Sequence, residues 1–308
     1  MSKILSSKHV LDLASMPKSD IDLILDTAFT QKEILSRSVK KVPILKGKSI
    51  CSLFIENSTR TKCSFEMAAK ILSADVTSLS PNGSSIKKGE SFKDTLLTLE
   101  AMGVDLFIIR HTSSGSPHFA SKVVKSHIIN AGDGFHAHPT QGLLDMMSIK
   151  ECLGTLKGLT ILLVGDIYHS RVARSNIWGL SKMGATVRVC APKTLIPSDL
   201  KNFPCEIYND LKEAVNGVDV INVLRIQLER MNAGFFSSVN EYNQFYALTK
   251  DVLKHAKSDV IIMHPGPMNR GVEIMSEVAD CKNSIIVDQV TNGLAVRMAI
   301  LYLLLQGN

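Results

Sequence analysis

The sequence predicts an α/β protein of two domains, each with a mostly parallel sheet flanked by helices. Two observations carry this. Short apolar runs of strand length alternate with segments of helical period, which is the pattern of βαβ units. The chain has 308 residues, whereas single cores stop growing near roughly 250–300 residues and typical domains hold about 100–200. Composition agrees: 45% apolar and 21% charged residues describe an ordinary globular chain rather than a disordered one. With 19 Gly and 10 Pro, collagen-like and low-complexity readings fail.

The elements follow in order. Residues 19–37 form a helix, with Ile21, Ile24, Leu25, Ala28 and Leu35 near helical spacing and Ser19 with Asp22 resembling a capping box. Residues 49–55 make an apolar strand. Phe65, Ala68, Ala69 and Leu72 mark one face of the next helix. Residues 81–88, rich in Pro, Gly, Ser and Lys, read as a loop. A helix over 90–102 leads to a strand at 105–109 that ends at Arg110. Residues 113–117 are a loop, and 127–130 a short strand. Pro139 opens a helix, where its missing N–H has no partner to lose. The second series runs as a strand at 160–164, a helix from 171 to 183, and strands at 186–190, 218–223, 260–263 and 285–287. A helix at 291–305 closes the chain. The expected domains are residues 1–137 with 290–308, and residues 138–289.

The balance of 35 Lys+Arg against 29 Asp+Glu gives +6. The basic residues are dispersed, which fits a site for small anions as well as a nucleic-acid surface. The six cysteines form no CxxC pair, so they read as reduced thiols in a cytoplasmic protein rather than as a zinc or redox motif. Residues 1–13 lack the apolar core of a secretory signal. No run is long enough to span a bilayer.

In open α/β sheets, ligands bind beyond the carboxyl ends of the strands. The polar segments of this chain lie there. Ser58-Thr59-Arg60-Thr61 opens a helix, where backbone N–H groups and the helix dipole attract anions. Arg110 and Arg225 each follow an apolar strand. Ser84, Lys87 and Lys88 lie in a basic loop. His136 and His138 form an HxH pair without an acidic or Cys partner at ligand spacing, so no metal is expected. Gly165 and Asp166 follow a strand, but Ile167 and Ser170 break the dinucleotide fingerprint. Arg171 sits early in the following helix. Pro265 and Pro267 flank Gly266 in a rigid turn. Each segment alone also fits an ordinary cap, turn or surface loop. Together they suggest a cleft between the domains for a small, highly anionic substrate pair, with catalysis by positioning and charge stabilisation.

Phe54-Ile-Glu-Asn-Ser-Thr-Arg-Thr61 resembles the carbamoyl-phosphate signature of the aspartate/ornithine carbamoyltransferase family. His138-Pro-Thr-Gln141 resembles its HPxQ motif, and the likeness runs on through residues 289–297. Three segments resemble the aspartate branch: Ser84 with Lys88-Gly-Glu-Ser91, Leu224-Arg225-Ile-Gln227 with Glu229-Arg230, and the proline loop 264–271. An ornithine enzyme would carry a His-Cys-Leu-Pro segment near 264, which this chain lacks. The resemblance implies carbamoyl transfer from carbamoyl phosphate to the α-amine of L-aspartate, the committed step of pyrimidine synthesis, without cofactor. It implies that Ser58, Thr59, Arg60, Thr61 and Arg110 hold the phosphate, with Ser84 and Lys88 lent by a neighbouring subunit of a homotrimer. His138, Thr61 and Arg110 polarise the carbamoyl carbonyl. Gln141 and the carbonyls of Gly266 and Pro267 accept from its NH₂. Arg171, Arg225 and Gln227 fix aspartate with the help of Lys88. A regulatory chain or a dihydroorotase is a possible partner of such trimers; nucleic acid and membrane are not expected. The alternatives are an ornithine or other carbamoyltransferase, or a non-enzymatic anion or nucleic-acid binder.

Overall fold

The computed structural model describes residues 4–79, 89–227, 235 and 238–306. The strands are β1 (His9–Val10), β2 (Ser49–Phe54), β3 (Asp75–Leu79), β4 (Leu106–His111), β5 (His127–Asp133), β6 (Thr160–Gly165), β7 (Thr186–Cys190), β8 (Glu206–Tyr208), β9 (Val220–Leu224) and β10 (Ile261–Met263). The helices are α1 (Lys18–Leu35), α2 (Thr59–Ile71), α3 (Phe92–Ala101), α4 (Ser116–Val123), α5 (Pro139–Leu153), α6 (Arg171–Lys182), α7 (Leu211–Ala214), α8 (Val239–Tyr246), α9 (Lys250–Leu253), α10 (Ser276–Ala279) and α11 (Ile286–Leu305). The chain divides into two units. Unit 1 is Met1–Leu144 with Thr291–Asn308, and unit 2 is Asp145–Val290. The division passes through α5 and α11, where the sequence reading put its boundaries at 137/138 and 289/290.

Unit 1 is built on a five-stranded sheet in the order β1-β5-β4-β2-β3, and every pairing is parallel. Cys51, Leu53, Phe107, Ile109 and Ile128 form one apolar cluster with Leu96 of α3 and Ala120 of α4. The alternate residues Ile50, Ile108 and Ile129 are also fully buried. Burial on both faces is why β2 and β4 read as unbroken apolar runs. Unit 2 has a second all-parallel sheet, β10-β9-β6-β7-β8. There Leu162, Val164, Ile221, Val223 and Ile262 pack with Leu211, Ala214, Val252, Ile274 and Val278. Their alternates Ile161, Leu163, Val187, Val189 and Val220 are buried as well. Among the described residues, no helix is long and apolar enough to cross a membrane.

Several expectations are corrected. Helix α1 is capped by Pro17, with no side-chain bond at its N-cap, so Ser19 and Asp22 form no capping box. Residues 285–287 are no strand. Ser284 makes a single bridge to Ile262, and the chain then turns into α11. There Ile286 is buried while Val287 and Val290 are 80% and 69% exposed, a helical rather than an alternating pattern. Strand β5 continues through Ala131-Gly132-Asp133 instead of ending at Asn130. Helix α4 begins at Ser116 within the expected loop, with Gly115 in the left-handed region as its N-cap and Pro117 in its first turn.

Candidate active site

Parallel pairing brings the C-terminal ends of β2, β4 and β5 side by side, with Phe54 opposite Arg110 and His111 opposite Asp133. The segment after β2 is stitched to Arg110: the N–H groups of Ile55 and Glu56 donate to the Arg110 carbonyl at 2.8 and 3.4 Å. The Arg110 guanidinium donates to Glu56 Oε1 at 2.7 Å and to the Ala131 carbonyl at 3.1 Å. A half-buried charge is thus paired and aimed by the segment after β2 and by strand β5. Helix α2 then opens at Thr59. Ser58, its N-cap, is extended and makes no side-chain cap bond. Thr61 is buried and Arg60 is exposed.

The β5–α5 connection carries His138. Asp133 organises it, accepting from the N–H groups of Gly115 and Ala137, from the Asn130 amide, and from His136. Burial alone would raise the Asp133 carboxyl. The bonds from His136, Asn130 and Gly115 outweigh it and hold the group below the usual carboxylate range. Gly134 has φ near +45°, and a Cβ there would stand 2.4 Å from Ser114 Oγ and 2.9 Å from the Thr112 carbonyl. Only glycine fits that close approach. His138 is buried, and its carbonyl takes the first helical bonds of α5, from Gln141 and Gly142. Thr140 Oγ1 lies 3.4 Å from His138 Nδ1. Gln141 is buried too.

In unit 2 the ends of β6, β9 and β10 are neighbours, with Gly165 opposite Leu224 and Met263 opposite Asn222. Arg171 is the first residue of α6 and is buried. Ser170 caps that helix by accepting from the Ala173 N–H. Gln227 is held twice: its N–H donates to Asp166 at 3.4 Å and its amide to the His169 carbonyl at 3.1 Å. Burial pushes the Asp166 carboxyl up, against the bonds from His169 and Gln227 that favour its anion. The proline loop is braced from within. His264 Nδ1 accepts from the Gly266 N–H at 2.8 Å, so its Nε2 carries the proton toward Glu273 Oε1 at 3.2 Å. The His264 N–H donates to Gln289, which donates to Asp145. Asn269 donates to the Ile226 carbonyl, tying this loop to the segment that holds Arg225 and Gln227.

The expected residues therefore fall into two sets. Ser58, Thr59, Arg60, Thr61, Arg110, His138 and Gln141 stand at the carboxyl edge of the first sheet. Arg171, Arg225, Gln227, Gly266 and Pro267 stand at that of the second. Ser84, Lys88, Glu229 and Arg230 lie outside the described residues. Sequence reasoning missed Glu56, Asp133, Asp166 and Glu273, the carboxylates that aim these groups. Asp133 had a visible signal, three residues before His136 and next to two glycines.

Two family models match this chain. The carbamoyl-P binding domain of aspartate/ornithine carbamoyltransferase covers residues 8–151, and the Asp/Orn binding domain covers 157–304. The chain belongs to the aspartate/ornithine carbamoyltransferase family. Among its relatives, the aspartate carbamoyltransferase catalytic subunit of Heliobacterium modesticaldum is 54% identical, covering 98% of this chain and 96% of the relative. That of Halothermothrix orenii is 55% identical over 97% and 96%. Among solved structures, aspartate transcarbamoylase from Trypanosoma cruzi in complex with N-(phosphonacetyl)-L-aspartic acid superposes with a TM-score of 0.87 at 29% identity, covering 97% of this chain and 96% of that one. Ornithine carbamoyltransferase from Pyrococcus furiosus gives 0.88 at 29%, covering 99% of both. At this distance the fold alone does not separate the two branches of the family.

Proposed function

We propose that the chain transfers the carbamoyl group of carbamoyl phosphate to the α-amine of L-aspartate, giving N-carbamoyl-L-aspartate and phosphate. The observation that carries the reading is the carboxyl edge of the first sheet. A helix start whose cap serine makes no cap bond, a buried threonine and an ion-paired arginine adjoin the loop of a buried histidine. The aspartate branch is supported by the names of the relatives above half identity and by Arg225-Ile-Gln227 with the proline loop.

The chemistry follows from the residue types. The first-turn N–H groups of α2, the hydroxyls of Ser58 and Thr59, and the Arg60 and Arg110 guanidiniums bind the phosphate. Thr140 Oγ1 stands beside His138 Nδ1 at 3.4 Å, and the tautomer with its proton on Nε2 is the form that donates to a carbonyl oxygen. His138, Thr61 and Arg110 then stabilise the oxyanion that forms when the amine attacks the carbamoyl carbon. Gln141 and the carbonyls of Gly266 and Pro267 accept from the carbamoyl NH₂. The two-pronged guanidiniums of Arg171 and Arg225 suit the carboxylates of aspartate, and Gln227 adds an amide. The amine enters neutral. Its nitrogen bonds to carbon, the C–O bond to phosphate breaks, and the departing phosphate takes the proton. Ser84 and Lys88 complete the site from a neighbouring subunit of a trimer.

The test is ureido-product formation from carbamoyl phosphate with L-aspartate, beside L-ornithine and a no-acceptor control. Product with aspartate alone is the expected result. Product with ornithine alone overturns the role given to Arg225 and Gln227. Tight, steeply salt-dependent retention of DNA or RNA, with no product from either acceptor, would favour an anion binder instead.

A further inference from the structure

A second cluster of chemistry-bearing side chains lies in unit 1, and none of its members is among the substrate contacts proposed above. His118 belongs to α4, Asp133 ends β5, and His136 stands in the loop beyond it. Each offers one ligand atom, and the three atoms lie within 4.8 Å of one another. We propose that His118, Asp133 and His136 bind a late first-row divalent metal ion such as Zn²⁺, with the fourth position open to water.

Asp12 orients the His118 ring. Its Nε2 lies 2.9 Å from Asp12 Oδ2. A carboxylate accepts, so Nε2 carries the proton and Nδ1 presents a lone pair. That Nδ1 is buried and has no hydrogen-bond partner. Such a group is costly unless something satisfies it, and a bound cation does so. A carboxylate behind the far nitrogen is also the arrangement that orients metal-bound imidazoles.

Asp133 is held firmly in place. Two backbone N–H groups and the Asn130 amide hold its carboxylate, and Oδ2 lies 3.1 Å from His136 Nδ1. The metal would replace the proton between these two atoms, and His136 would then carry its proton on Nε2.

Two imidazoles and one carboxylate, with one open position, suit zinc and its neighbours rather than calcium or magnesium. Tetrahedral ligands at zinc distances stand about 3.4 Å apart. Spacings that reach up to 4.8 Å must therefore close toward that value on binding. His136, 41% exposed at its side chain, is the ligand with room to swing, because Asp12 holds His118 and the backbone holds Asp133.

The experiment titrates the untagged, chelator-stripped full chain with ZnCl₂ by calorimetry and with CoCl₂ by visible absorption. One equivalent per chain is expected, with the intense d–d bands of a four-coordinate Co²⁺ ion. His118→Gln and His136→Gln should each weaken binding at least tenfold. Asp12→Asn should weaken it by about 10–100-fold although it touches no metal. Replacing the exposed Cys63 and Cys152 by Ser should change nothing. Far-ultraviolet circular dichroism verifies that each variant is folded, and Asp133 is left intact because so much backbone depends on it. Absence of stoichiometric binding, or undiminished affinity in His118→Gln, would overturn the proposal and leave a pair of hydrogen-bonded histidines.

Discussion

In the proposed reaction, the phosphate side of the site turns on Arg110 and Glu56. Glu56 is not a ligand for an anionic substrate. Its charge would repel one, and it earns its place by fixing the guanidinium at 2.7 Å. Glu56→Gln keeps the shape and removes the charge assistance, which is worth about 1.5–3 kcal/mol. We expect kcat/KM to fall about 10–100-fold while the urea midpoint moves little, since both groups stay solvated at their edges. Unchanged kcat/KM would mean that Arg110 is held by its bond to Ala131 alone. Arg60 has a different part. It is exposed at a helix start, so its loss should spare folding. Arg60→Ala should cost about 2.7–4 kcal/mol of transition-state stabilisation, or 10²–10³ in kcat, and a near-normal kcat would remove Arg60 from the reaction. At this scale the sequence pointed to candidate ligands and was blind to the carboxylates beside them. An arginine after an apolar strand is conspicuous because a charge there needs a reason. Glu56 and Glu273 are single carboxylates in polar segments, and only folding shows which arginine or histidine each one meets.

Elements were legible where burial wrote a pattern into them. Strands β2, β4, β6 and β9 are buried on both faces and stand out as largely apolar runs. Strands β1, β3 and β8 lie at the sheet edges, short and largely polar, and carry no such signal. Helix α4 hid behind Ser-Ser-Gly-Ser-Pro, although a Pro in a first turn is itself a start signal. Two predictions belong here. Gly165 joins β6 to its loop with φ near +132°, and a Cβ there would lie 2.3 Å from the Leu224 carbonyl oxygen. Gly165→Ala must push β6 and β9 apart at the end that carries Arg225. A loss of about 3 kcal/mol is expected, read as a lower urea midpoint at unchanged slope. The second concerns His9 in edge strand β1. Its Nδ1 accepts the Ile128 N–H, and burial, with Lys8 and His127 nearby, lowers its pKa to about 4. The unfolded chain takes up this proton near pH 6.5 and the folded chain only near 4. Between those values the unfolded state binds more protons, so stability rises with pH and is lost on acidification. His9→Asn, which keeps an acceptor, should flatten the denaturation midpoint across that window by up to one proton. An unaltered pH slope would show that His9 titrates normally.

At the scale of the whole molecule, two parallel sheets each present a polar carboxyl edge, and the proposed reaction needs both edges and one loop more. Units of this kind were predictable because alternating strands and helices leave little choice of architecture. Where they divide was less so, since α5 and α11 each run unbroken from one unit into the other and no linker composition marks the passage. Ser84 and Lys88 lie outside the described residues. If a neighbouring subunit supplies them, sites are made in pairs around a closed ring of three. This can be tested by arithmetic. Arg60→Ala and Lys88→Ala chains should each be nearly inactive. In any mixed trimer, one of the three junctions joins an intact Arg60 to an intact neighbouring Lys88. Random mixing of equal amounts makes three quarters of the trimers mixed, so about one quarter of wild-type activity should return. Chains that act on their own substrate with their own Lys88 carry one lesion each in every combination, and mixing then restores nothing. Activity that appears only after the trimers are dissociated and reassembled together separates shared sites from a trivial contaminant, because intact parent trimers, merely combined, contain no junction of the required kind.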